Sequence, residues 1–143
     1  MARVINTNSP GKRRNAHMRT IAEILRRLSQ EQEISEASKD MVAMLVFCLR
    51  GIDSTVEESM VAWEKRGYWK KSDEFQQKWW WASRLSKSLE TLLRNEDWEK
   101  LPETMMQIYG YVADLKVNRL TRDPDAWRGA YQKLVAEKRA SSS

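Results

Sequence analysis

The chain is poor in the residues that usually carry chemistry. It has one histidine and one cysteine among 143 residues. A lone thiol cannot close an internal disulfide, so nothing calls for an oxidising compartment. Cys48 lies in the apolar run MVAMLVFCL, which marks it as a buried thiol and not a reactive one. A zinc site needs several His or Cys ligands, and the paired Glu-x-x-His motifs of helical di-iron bundles are missing. His17, with no cysteine beside it, reads as a solvated or capping side chain. Neither a metal nor a cofactor is expected. Long apolar stretches are also lacking. The run at residues 41–49 covers nine positions, against the roughly 20 that span a bilayer. The opening MARVINTNSPGKRR has no apolar signal core, and a cytoplasmic location is the expectation.

Glycine and proline are scarce as well, five and three respectively. Few breakers mean long regular elements, and the apolar spacing is that of helices throughout. The expected fold is all-α: four to five helices bundled around a long central second helix. Residues 1–9 read as a flexible arm, 10–140 as one helical-bundle domain and 141–143 as a disordered tail.

Ser9-Pro10 is a helix start, a cap followed by a first-turn proline. The first helix should run to about residue 30, with Met18, Ile21, Leu25 and Leu28 on one face. Ser35-Glu36 opens the second. Its face of Met41, Leu45, Cys48, Ile52, Val56, Met60 and Trp63 carries it through Gly51 to residue 66, about 45 Å at 1.5 Å per residue. Gly51 costs about 1 kcal/mol there relative to alanine. Gly67 ends that helix, and Ser72 with Asp73 and Glu74 reads as the cap and first turn of a third helix reaching residue 95. Pro102 opens a fourth, carrying Met105, Ile108, Tyr109, Val112 and Leu115 to about residue 120. Asp123-Pro124-Asp125 then starts a fifth, with Trp127, Tyr131 and Leu134 inward.

Charge is unevenly placed. Residues 1–30 hold seven bases and one acid, Glu23; residues 31–115 hold eleven bases and sixteen acids; residues 116–143 hold seven bases and three acids. An acidic body between two basic ends hints at an anionic partner. Lys12, Arg13, Arg14, Arg19, Arg26 and Arg27 are the candidate contacts to DNA or RNA, through phosphates and without sequence reading. An ordinary solvated face is the simpler reading of them, and an acidic protein surface is a third.

Three consecutive tryptophans, residues 79–81, fall inside the third helix. A helix turns about 100° per residue, so they cannot share one face. With the core direction set by Phe75, Ala82, Ser86, Leu89 and Leu93, Trp79 belongs to the core, Trp81 to its boundary and Trp80 to the polar side. Trp80 is then covered by another part of the chain, by a partner protein, or by a stacked base or small ligand. Tyr68, Trp69, Lys70 and Lys71 add aromatic and basic groups nearby, the mixture used by single-strand binders. Trp69, Trp80, Trp81 and Arg84 are the candidate interface residues, since Trp and Arg dominate interface hot spots.

Acid pairs such as Glu57-Glu58 and Asp73-Glu74 leave metal-dependent nucleotide hydrolysis as the enzymatic alternative. GKRR lacks the strand and pattern of a phosphate loop. The expectation is a non-catalytic interaction protein, a homo-oligomer and most simply a dimer, built on the aromatic and Met-rich parts of the second and third helices. Nucleic-acid association through the basic ends is the alternative.

Overall fold

The computed structural model describes residues 9–137, so most of the expected arm and the tail at 141–143 lie outside them. Among the described residues there are five helices: α1 (Pro10–Leu28), α2 (Glu36–Lys65), α3 (Trp69–Arg94), α4 (Leu101–Val112) and α5 (Ala130–Ala136). Short 3-10 turns at Trp98–Lys100 and Pro124–Trp127 precede the last two. There is no strand among the described residues, and the fold is all-α around the long second helix.

Local signals set most boundaries. Ser9 accepts the Lys12 amide proton at 3.3 Å, with Pro10 at the first helical position. Ser35 does the same for Ser38 at 3.1 Å. α2 ends where Gly67 takes φ of 81°, letting the Tyr68 amide reach back to the Trp63 carbonyl at 2.9 Å. That left-handed residue is cheap for glycine and costly for residues with a Cβ. Because this turn is so tight, α3 begins at Trp69, three residues before the expected cap. Ser72 is therefore inside the helix and buried, its hydroxyl donating to Glu64 at 2.7 Å.

α1 and α3 both run antiparallel to α2, and α5 closes a third side. The apolar middle of α2 is thereby enclosed: Val42, Ala43, Leu45, Val46, Leu49 and Ile52 are sealed, and only Met44 and Phe47 keep partial exposure. Its all-round hydrophobicity is used within the chain, so this part of the second helix does not offer the surface expected for oligomerisation. Arg50 ties α2 to Glu90 on α3 (2.7 Å) and to Glu137 beyond α5 (2.9 Å).

Two expected elements end or start elsewhere. α4 stops at Val112 rather than near residue 120, because the following segment folds back onto α1. Its amides at Thr121 and Arg122 bond the Glu23 carboxylate and no helical carbonyl. The Asp123 cap is real, accepting from the Asp125 amide at 2.9 Å, yet it opens only a 3-10 turn. Extended Arg128 and left-handed Gly129 interrupt the chain before α5.

Candidate functional site

On α3 the three tryptophans meet three different environments. Trp81 is 6% exposed and lies flat against Tyr111 of α4, ring centroids 4.2 Å apart and planes 1° from parallel. It was expected at the boundary and at the interface; instead α4 covers it, and the buried face of α3 keeps the expected Ala82, Ser86, Leu89 and Leu93 and widens on one side to Trp81, Leu85 and Leu92. Trp79, expected in the core, is correspondingly displaced to the flank and only half-buried. It packs beside Phe75 and Trp81, and its indole nitrogen has no hydrogen-bond partner. Trp80 faces outward, 56% exposed, with the Arg84 guanidinium 5.8 Å from its ring centre.

Trp69 is 64% exposed at the start of the same helix. Eleven residues separate it from Trp80, three turns plus about 20°, so the two indoles share one stripe roughly 16 Å apart along the axis. The polar side chains Asp73, Gln76 and Gln77 lie between them, all exposed. Of the four expected interface residues, Trp69, Trp80 and Arg84 therefore gather on one face and Trp81 does not.

The basic residues of α1 are placed very differently from a free cationic arm. Arg13 grips Glu58 with both guanidinium nitrogens, at 2.9 and 2.6 Å. Arg14 donates to the hydroxyls of Thr55 (3.1 Å) and Ser59 (2.9 Å), and lies 4.8 Å from the centre of the Phe75 ring. Arg19 pairs with Glu23, Arg26 donates to the Val117 carbonyl, and Arg27 donates to the Arg122 carbonyl above Trp127. Lys12 is exposed. Four of the six candidate phosphate contacts, Arg13, Arg14, Arg26 and Arg27, thus hold α1 to α2 and to the segment after α4, while Arg19 is engaged within α1.

Two residues in that seam were not singled out by sequence reasoning, or were assigned another place. Glu23 is fully buried. It accepts from the Thr121 amide (2.7 Å), the Thr121 hydroxyl (2.7 Å), the Arg122 amide (2.9 Å) and the Arg122 guanidinium (3.0 Å). Burial pushes its pKa up. The bonds from Arg122 and Thr121, with the Arg122 charge, outweigh that and hold it at about 2. The available signal was its solitude as the one acid in a helix of bases. His17, expected in solvent or at a cap, is half-buried where α1 crosses α2. A Cβ at Gly51 would lie 2.4 Å from its Nε2. Burial and the nearby Arg13 charge lower its pKa.

Cys48 is buried, and desolvation raises its thiol to about 12, so no thiolate forms near neutral pH. Among the described residues, no three His, Cys, Asp or Glu side chains form a metal-ligating group. Nor is any helix there long and apolar enough to cross a membrane. No protein-family model, curated protein or solved structure matches the chain.

Proposed function

We propose that this is a non-catalytic interaction protein that associates with itself through the α3 face bearing Trp69, Trp80 and Arg84. The observation that carries this reading is two indoles, each more than half exposed, aligned on one helical stripe. Indoles are large apolar groups that usually find cover, and clustered Trp and Arg are typical of interface centres.

The spacing favours a two-fold arrangement. If two copies of α3 cross antiparallel near residues 74–75, Trp69 of each meets Trp80 of the other, as an isologous contact requires. The tryptophans alone fall short of the roughly 800 Å² per partner of a standard interface. Tyr68, also exposed, and the polar side chains between the indoles make up the remainder.

Sedimentation velocity of the wild-type chain at two concentrations tests this, together with Trp80→Asp. The expected result is a concentration-dependent dimer that the substitution converts to monomer with unchanged helical circular dichroism. A wild-type chain that stays monomeric throughout overturns it.

The nucleic-acid reading has less support, because the guanidinium groups it needs are occupied within the chain. Its own test is a shift of generic DNA and RNA fragments at low salt, where phosphate contacts are strongest.

A further inference from the structure

A different surface lies on the opposite side of α4 from Trp81. Between the C-terminal half of α1 and α4 runs a groove of about 650 Å³, floored by Leu25, Leu28 and Leu101. Trp98, Met105, Met106 and Tyr109 form one wall. Beyond Tyr109 a second hollow of about 450 Å³ continues it, sharing Leu25 and Tyr109 and ending at Leu115 and Val117. Apolar side chains that would normally be covered collect along its edges. Met106 is 71% exposed and Tyr109 54%, with Ile34 and Leu115 exposed beside them. Methionine is flexible and polarizable, which suits a surface that must fit an incoming side chain.

One lip is acidic. Residues 29–37 carry Glu31, Glu33 and Glu36, in a chain whose net charge is +5; Glu36 pairs with Lys39 at 3.5 Å, which leaves Glu31 and Glu33. Glu31 and Glu33 line the groove itself. At the other end the exposed Arg26, which donates to the Val117 carbonyl, lines the second hollow, so the acidic character is confined to the Glu31 and Glu33 end.

We propose that this groove binds an amphipathic helix of another protein, with lysine or arginine on the flank that meets Glu31 and Glu33. α4 is twelve residues long, about 18 Å, which matches a partner helix of three turns with apolar anchors at i, i+3 or i+4, and i+7. A second copy of this chain is a poor occupant. Its basic helix α1 already buries Ile21, Ile24, Leu25 and Leu28 in its own core, and could donate that face only by unfolding. The groove is independent of the α3 face, so either reading can fail without the other.

The probe is a labelled helical peptide of leucine and lysine, leucines at i, i+3, i+4 and i+7, compared with a counterpart in which glutamate replaces lysine. Fluorescence anisotropy with the full chain should show the lysine peptide binding and the glutamate peptide at least about tenfold weaker. Met106→Asp adds a negative charge, so nonspecific attraction to a cationic peptide would grow. Loss of binding by about tenfold or more therefore reports the apolar groove. Met106→Ala serves as the milder version if the aspartate variant loses helicity. Glu31→Lys with Glu33→Lys should weaken the lysine peptide and strengthen the glutamate one, while Trp80→Asp should change neither. The proposal is overturned by no binding, by equal binding of both peptides, or by binding indifferent to Met106 substitution. It is equally overturned if Met106→Asp breaks up an oligomer of the chain, which would assign the groove to self-association.

Discussion

His17 occupies the space that a side chain at Gly51 would need: a Cβ there would stand 2.4 Å from the imidazole Nε2 and 2.7 Å from Cε1. A glycine in mid-helix, costing about 1 kcal/mol against alanine, is explained by this close crossing of α1 over α2. Gly51→Ala should therefore give no gain in urea unfolding of the otherwise wild-type chain. In a His17→Ala background it should stabilise by about 1 kcal/mol. Additive effects of the two substitutions would show that the ring moves aside freely.

The same ring has a pH consequence. Its pKa is depressed in the folded chain by burial and by Arg13, so folding favours the neutral form. The contribution is complete above the unfolded value and is lost as pH falls from there toward the lower folded value. Stability should decline from neutral pH toward pH 5, and His17→Gln should flatten that part of the profile.

Glu23 acts at lower pH. Its carboxyl is held at about 2 against an ordinary 4.5. The depressed value means stability fully present above the unfolded pKa and lost as pH drops toward the folded one. The displacement corresponds to about 3 kcal/mol between roughly pH 5 and pH 2. Glu23→Gln keeps the shape and removes the charge. It should lower stability at pH 7 by about this amount and shrink the acid limb measured by urea unfolding. Equal acid dependence in the variant and wild type would place the limb on other carboxylates.

Asp40 caps a helix far from it in sequence. Its carboxylate on α2 accepts from the Gly129 amide at 3.0 Å and the Tyr131 amide at 2.9 Å, satisfying the start of α5. Asp40→Ala should cost about 1–2 kcal/mol, and Asp40→Asn, which keeps one accepting oxygen, less. Hydrogen exchange should rise first in α5. Uniform exchange changes across the bundle would contradict a local cap.

Glu96 closes α3 with φ of 57°, a left-handed conformation that costs a residue with a Cβ about 1–2 kcal/mol. Glycine removes that strain and adds about 0.5–1 kcal/mol of unfolded-chain entropy. Glu96→Gly should then raise thermal stability by about 0.5 kcal/mol. A lower melting temperature would mean that the exposed glutamate makes a favourable contribution there.

Local chemistry made part of the molecule legible from residue order alone. Ser9-Pro10 and Ser35 act through neighbours three residues away, Gly67 acts on its own φ, and the all-apolar stretch of α2 can only be central. The outward turn of Trp80 follows from the 100° step and from the polar residues beside it. Those forces reach no further than a helical turn, so no partner in space is needed to read them. Tertiary structure decided what depends on residues distant in the chain: Tyr111 covering Trp81, Glu23 anchoring the segment after α4 through the amides of Thr121 and Arg122, Asp40 setting the start of α5, and α2 occupying Arg13 and Arg14 of α1. A buried carboxylate or an uncapped helix end must find its hydrogen bonds wherever folding brings them, and periodicity along the chain carries no record of that meeting.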